Sequence, residues 1–387
     1  MTDALLKTAL HDKHVALEAS MGETAGWEMP LAYRGAIDEA MSVRRRAGVF
    51  DIGHSGRIRI RGDGALDLLE RVCTHDVAHQ EDNTSARTLM LNERGGILDI
   101  CRLVRLEDSW LLIASPINRT KIVEHMQSLA EGFSAQVDDR TQKDAALLVA
   151  GPTAPALLDA VLEGVLGEKV SQLSPDSARA GTHLLARYVV VRTDELGFWS
   201  AQVILPHLLM GQAWRYITQK AGDGCIAPAG LAAWDVLRIE AGQSAYGQEI
   251  NESFDPYLAG VGSLVDLGHE FIGADACRTL SARTPPRRLV GLVICSGKAS
   301  VVNRGQSPKS GDSPLVPIPR QGSAVLDFDG NEIGAVTSGT FSPLLDCPVA
   351  LAYVAKSAAA PQTPVTILQD GATHSAQIVA LPFSPVK

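Results

Sequence analysis

Gly56-Arg57-Ile58-Arg59-Ile60-Arg61-Gly62 alternates strictly, with three arginines on one side and two isoleucines on the other. Successive side chains of an extended chain point to opposite faces, so this pattern predicts a half-buried β-strand. Behind it, Leu66, Leu69, Val72 and Cys73 recur at helical spacing after a candidate cap at Asp63, which predicts a helix. Ile97 to Leu106 and Trp110 to Ala114 read as two strands around a Glu107-Asp108-Ser109 turn. A second helix follows, with Ile122, Val123, Met126 and Leu129 on one side. The order is β-α-β-β-α.

That order returns further along. Ala145 to Ala150 is an apolar strand, Gly151-Pro152 a turn, and Ala156, Leu157, Ala160 and Val161 a helical stripe. Leu184 to Val191 and Ser200 to Leu205 read as strands, and Leu208 to Ala221 as a helix. A repeat of pattern without repeat of identity predicts two α+β modules of the split βαβ kind. From about Arg288 short strands dominate: Leu289 to Ile294, Ser323 to Phe328, Val349 to Val354, and Pro364 to Leu381 broken at Asp370-Gly371. Regular short strands predict a small barrel or sandwich. Gly305 to Pro319, rich in Pro, Ser and Gly, reads as a loop within it.

The net charge of −9 argues against a nucleic-acid or anionic-membrane surface, since either needs clustered Lys and Arg. The one basic run, Arg44-Arg45-Arg46, is short and reads as a solvated helix face. Six cysteines, none close to another in sequence, form no metal or redox pair and read as reduced and mostly buried. No apolar run is long enough for a membrane span or a signal peptide, so a cytoplasmic protein is expected.

Motif searches exclude several chemistries. No GxxxxGK[ST] phosphate loop occurs, and Gly62-Asp63-Gly64 and Gly260-Val261-Gly262 lack the rest of a dinucleotide fingerprint. In Gly53-His54-Ser55-Gly56 the His and Ser are adjacent, which on a strand sends them to opposite faces. His11 and His14, a helical turn apart with no third ligand nearby, read as a surface pair and not a metal site.

Eight further stretches, in order along the chain, carry a resemblance. They are Gly26-Trp27-Glu28-Met29-Pro30, Arg46-Ala47-Gly48-Val49-Phe50-Asp51, Gly95-Gly96-Ile97-Leu98-Asp99, Gly151-Pro152, Leu237-Arg238-Ile239-Glu240-Ala241-Gly242, Tyr246-Gly247-Gln248-Glu249, Phe271-Ile272-Gly273 and Thr337-Ser338-Gly339-Thr340-Phe341-Ser342-Pro343. In that register the chain resembles the glycine cleavage T-protein, or aminomethyltransferase, family. The resemblance implies an α+β, three-lobed fold: two interleaved split-βαβ modules over residues 1–285 and a C-terminal β-barrel over 286–387. It implies tetrahydrofolate in a central channel and transfer of a one-carbon unit to folate N5 or N10. The donor would be the aminomethyl group on the lipoyl arm of an H-protein, as in glycine catabolism, or a small molecule. No nucleic acid, membrane or metal is implied.

Carried over residue by residue, the resemblance names a candidate site that departs from the family. Where the family has two successive acids after Gly-Gly, this chain has Asp99 and Ile100. Asp99 is the candidate catalytic carboxylate, although the second position is the one expected to face folate, and Ile100 there neither accepts a proton nor bonds an amine. The family's pterin-binding Glu falls at Trp199, or with a shifted alignment at Gln202, which offers hydrogen bonds without charge. Trp234 stands where relatives place an Arg, and Arg87 where they place a pocket tyrosine. Tyr246 is a candidate for the channel wall and Glu195 is part of a loop acid pair.

Two functions therefore compete. One is a folate-dependent aminomethyl or methyl transferase. The other is a divergent paralogue of the same fold that lost or altered its folate site, suggested by Ile100, Trp234, Gln202 and Arg87 together. The iron–sulfur maintenance branch of the superfamily is disfavoured, because Gln243-Ser244-Ala245-Tyr246 has no Cys where that branch carries one.

Overall fold

A computed structural model describes residues 4–166, 169–183, 186–219, 226–294 and 317–383. It divides into two compact units, one formed by residues up to Arg238 with Ala245–Thr284, the other by Ile239–Ser244 with residues from Pro285 onward.

The first unit begins with β1 (Leu6–Lys7), α1 (His11–Ala16), β2 (Ser20–Thr24), β3 (Trp27–Ala32), α2 (Ala36–Arg45) and β4 (Gly48–Asp51). A first module follows as β5 (Gly56–Arg61), α3 (Ala65–Val72), β6 (Thr84–Leu91), β7 (Ile97–Leu106), β8 (Ser109–Ala114), α4 (Arg119–Ala130) and β9 (Gln136–Asp139). The second runs β10 (Asp144–Ala150), α5 (Ala154–Leu166), β11 (Ala178–His183), β12 (Ala186–Thr193), β13 (Ser200–Pro206) and α6 (His207–Gln219), and β14 (Ala227–Pro228), α7 (Leu231–Glu240) and α8 (Ala274–Ser281) complete the list. The repeat is present, with one strand more per module than the pattern predicts. The extra strands are β6 and β11. Both are edge strands, β6 half-exposed over its first half and β11 increasingly exposed toward its end, so neither carries clean alternation.

The two modules form sheets of matching order, β6-β7-β8-β5-β9 and β11-β12-β13-β10-β4-β14. Here the interleaving becomes visible. β4 directly precedes the first module but pairs with β10 of the second, Phe50 opposite Leu148. β9 directly precedes the second module but pairs with β5 of the first, Ile60 opposite Val137. Each module lends its leading strand to the other.

The sheets face one another. Between them lie Val104, Ile113, Leu148, Val191 and Ile204 in one buried apolar cluster. On the far face of the first sheet, Ile58, Ile60 and Leu112 pack with Leu68, Leu69, Ile122 and Met126 of α3 and α4. On the far face of the second, Leu147, Val149 and Val203 pack with Leu158 of α5 and Met210, Trp214 and Ile217 of α6. The result is four layers, helix–sheet–sheet–helix, in which each fully buried Leu or Ile contributes about 1.5–3 kcal/mol. The Gly151-Pro152 turn needs its glycine: φ is +122°, and a Cβ there would meet the carbonyl oxygens of Val43 at 2.5 Å and Arg46 at 2.6 Å.

Three sequence expectations change. Arg57 is not on a solvated face but fully buried, donating to the carbonyl oxygens of Ser55, Gly53, Thr141 and Asp144. Asp63 does not cap α3, whose N-cap is Gly64 with no side-chain bond. His11 and His14 are buried, not a surface pair. His14 Nε2 lies 2.9 Å from an Asp51 oxygen and its Nδ1 2.8 Å from the Tyr33 hydroxyl, while His11 Nε2 meets Glu28 at 2.8 Å.

The second unit contains a closed barrel of β15 (Arg287–Ile294), β16 (Ala324–Leu326), β17 (Glu332–Ser342), β18 (Cys347–Ala355), β19 (Pro364–Gln369) and β20 (Ala372–Val379), in the order β15-β18-β17-β16-β19-β20. Val290, Leu292, Val325, Ala352, Val354, Ile367 and Ile378 fill it. The Thr337-to-Pro343 motif is most of one strand, with a bulge between Val336 and Ser338, ending where Ser342 Oγ donates to the buried Glu240 at 2.5 Å. The predicted loop from Gly305 lies outside the described residues as far as 316. Cys73, Cys101 and Cys277 are free and buried and Cys347 is free and partly buried, whereas Cys225 and Cys295 lie outside the described residues. No helix among the described residues is long and apolar enough to cross a membrane.

Candidate active site

The inner face of the first sheet carries a short polar band between two apolar regions. On β7, Ile100, Arg102 and Val104 share this face; on β6 their direct partners are Leu89, Arg87 and Ser85. Val104 belongs to the central cluster between the sheets. Ile100 and Leu89 belong to a second cluster, with Ile250, Phe271 and Tyr246. Arg87 and Arg102 lie between them.

Arg102 is buried and fully engaged. Its Nε donates to Glu195 at 3.0 Å, and its Nη1 to Asp176 at 2.6 Å and Ser85 Oγ at 2.9 Å. Burial weakens its hold on a proton, but Glu195 and Asp176 outweigh that and raise its pKa. Arg87, opposite it, is partly buried and makes no hydrogen bond or ion pair among the described residues. Burial, with Arg102 adding to it, lowers its pKa against the pull of Glu195.

On the facing sheet, Gln202 of β13 lies opposite Leu148 and Val191, both of the central cluster, so it faces inward. It is 5% exposed, and its Oε1 is buried without a hydrogen-bond partner. Trp234 of α7 packs against the same cluster, edge-on to Phe50 with ring centroids 5.5 Å apart. Tyr246 lies in the adjoining cluster, with the Lys121 ammonium 5.0 Å from its ring centroid and 3.3 Å from its hydroxyl. Burial raises the Tyr246 pKa against the pull of Lys121, and Lys121 is further tied to Glu252 at 2.8 Å.

Two residues named from sequence turn away. Asp99 points to the helix layer and is fully buried, accepting from the Ser115 N–H at 2.8 Å, Asn118 Nδ2 at 2.9 Å and Cys101 Sγ at 3.4 Å. Burial raises its pKa, and these bonds oppose the rise. Asp99 pairs with Met90 of the outer cluster in the register of the rest of the strand, and the ladder shifts only beyond it, between Met90 and Leu91, so the carboxylate stays off the inner face. Trp199 packs on the outer cluster beneath the Arg192 guanidinium, 4.8 Å from its centroid. Of the two alternatives on this hairpin, Gln202 is the inward one. Glu195, Arg87, Gln202, Trp234 and Tyr246 stay on the inner side, with Glu195 joined through Arg102.

Sequence reasoning missed Arg102 and Asp176, and weighed His54 only as a neighbour of Ser55. Arg102 is signalled only by its position three residues after Asp99, and Asp176 by nothing local. His54 is buried with Nδ1 unpartnered, and burial pulls its pKa down to about 4, so its imidazole is neutral. No group of three or more His, Cys, Asp or Glu able to hold a metal occurs among the described residues.

Comparison with known proteins agrees with this architecture. Residues 10–269 match the family model described as the GCVT N-terminal domain, and 308–384 the glycine cleavage T-protein C-terminal barrel domain. The chain is 32% identical to an aminomethyltransferase of Symbiobacterium thermophilum, covering 99% of this chain and 98% of that one. It is 34% identical to an aminomethyltransferase of Streptomyces avermitilis, over 97% and 96%. A crystal structure of the glycine cleavage system aminomethyltransferase T from Bartonella henselae superposes with a TM-score of 0.85 at 29% identity, covering 99% of each chain. Two facing α+β modules and a closed barrel, with a mixed polar and apolar face between the sheets, define the T-protein class of fold. The chain belongs to the glycine cleavage T-protein, or aminomethyltransferase, family.

Proposed function

We propose that this chain is a cytoplasmic, tetrahydrofolate-dependent aminomethyltransferase of the glycine cleavage type, taking its one-carbon unit from the lipoyl arm of an H-protein. The observation that carries the folate reading is Gln202: a buried amide aimed into the space between the sheets with its oxygen unsatisfied. An unpaired buried acceptor costs about 1–3 kcal/mol, which a ligand N–H would recover. The amide fits the polar edge of a pterin, and the partly buried Trp234, backed by the core residue Phe50, offers aromatic surface to its rings. Tetrahydrofolate supplies the nitrogens that accept the one-carbon unit. This chain's residues bind and orient it: Gln202 by hydrogen bonding, Trp234 by contact, and Ile100 by keeping water from a point of the face where no acid stands.

The relatives named aminomethyltransferase span nearly the whole chain, which supports transferase activity and gives the divergent reading no support. Equilibrium binding of tetrahydrofolate tests the proposal, followed by ammonia release from an aminomethyl-loaded, lipoylated H-protein. Absence of tetrahydrofolate binding at high micromolar concentration would overturn it.

A further inference from the structure

We propose that Arg87 is the carboxylate-binding residue of this site. The inference deepens the folate reading and rests on it for the identity of the site. Three observations carry it. Arg87 stands directly opposite Arg102 on the inner face, an arrangement in which like charges repel. The two carboxylates whose charges act on Arg87, Glu195 and Asp176, are both bonded to Arg102. Arg87 is left partly buried, with a guanidinium that makes no hydrogen bond or ion pair among the described residues.

A planar guanidinium presents paired N–H donors that match a carboxylate in bidentate fashion. Its immediate neighbours along the face, Leu89 and Ile100, are apolar and join the Tyr246 cluster. A bound molecule meeting this strip would therefore present an apolar or aromatic body followed by an anionic end. Two sources have that chemistry: the glutamyl tail of folate, and the carboxylate of a small amino-acid donor of the one-carbon unit.

Binding of three probes to the full-length protein and to Arg87→Gln distinguishes them: tetrahydrofolate, 6-methyltetrahydropterin, which lacks the glutamyl tail, and N-methylglycine. Loss of a charge-assisted bidentate contact is expected to weaken a carboxylate probe by about 10- to 100-fold. Weakened tetrahydrofolate with unchanged 6-methyltetrahydropterin assigns Arg87 to the tail. Weakened N-methylglycine with unchanged tetrahydrofolate assigns it to the donor. Arg87→Lys, which keeps the charge and loses the fork, should fall between wild type and Arg87→Gln, and serves alone if the glutamine variant does not fold. All probes binding the variants within twofold of wild type overturns the proposal, as does a wild-type protein that binds none of them. A wild type that binds N-methylglycine but neither pterin overturns the folate reading while leaving the Arg87 comparison decisive.

Discussion

Asp99 and Ile100 are neighbours on one strand and serve opposite surfaces: the carboxylate of Asp99 holds Ser115 and Asn118 under the helix layer, while Ile100 packs on the inner face in the cluster of Tyr246. The acid of this pair is part of the scaffold, and the inner face at that point has none.

Asp99→Asn should therefore act on stability. The amide would turn a donor toward the Ser115 N–H or the Asn118 amide, and the buried mismatch should cost about 1–3 kcal/mol. Urea unfolding measures it, alongside a tetrahydrofolate dissociation constant expected to stay within about threefold of wild type. Unchanged stability with lost affinity would contradict the assignment.

Ile100→Asp places a carboxylate on the inner face. General acid–base catalysis contributes about 100-fold or more where it operates, so a rise of at least about tenfold in the rate of aminomethyl transfer is expected, with some loss of stability from burying a charge. Ile100→Asn controls for polarity alone. If the aspartate variant folds and transfers no faster than the asparagine variant, folate does not react at this face.

Gln202→Leu should separate stability from binding. Removing an unsatisfied buried amide is expected to raise stability by about 1 kcal/mol, while tetrahydrofolate binding weakens by about tenfold. A purely structural glutamine would show no loss of affinity, so titration calorimetry on the folded variant decides.

His54 makes stability depend on pH. Burial, reinforced by Arg57 and opposed by Asp51, pulls its pKa to about 4, whereas an unfolded histidine titrates near 6.5. Between these values the unfolded chain binds a proton that the folded chain does not. The contribution is fully present above about pH 6.5 and is lost as pH falls toward 4, amounting to about 3 kcal/mol. Comparing urea unfolding of wild type and His54→Gln at pH 7 and pH 4.5 isolates it; parallel losses in both proteins would refute it.

Much of the architecture was legible because it is periodic. Ile58 and Ile60 between arginines, and Leu69, Val72 and Cys73 at helical spacing, report burial against a neighbouring layer through spacing alone, although Leu66, placed on the same stripe, is exposed and Leu68 takes its place. Arg57 misled because charge normally signals exposure, and only a non-local set of carbonyls, two of them from Thr141 and Asp144, makes its burial tolerable. His14 misled for the same reason, its partners Asp51 and Tyr33 lying far away in sequence. In the site, motif matching reached Arg87, Gln202 and Trp234. The facing of Asp99 and Trp199 depends on strand register, and the pairing of Arg102 with Asp176 on a contact between a strand and a turn distant in sequence, neither of which local sequence encodes.

The exchanged strands bear on how the chain is made. Translation delivers Gly48–Asp51 long before Asp144–Ala150, the strand it must lie beside, and finishes the body of the first module before Gln136–Asp139 arrives to complete that sheet. The first sheet is complete once Gln136–Asp139 is made, but Gly48–Asp51 has no partner until Asp144–Ala150 follows, so the nascent polypeptide carries an unmatched strand throughout synthesis of the first module. A stop codon placed between the modules would release a fragment whose first sheet is complete but whose Gly48–Asp51 strand has no partner, a species inclined to associate with its own kind.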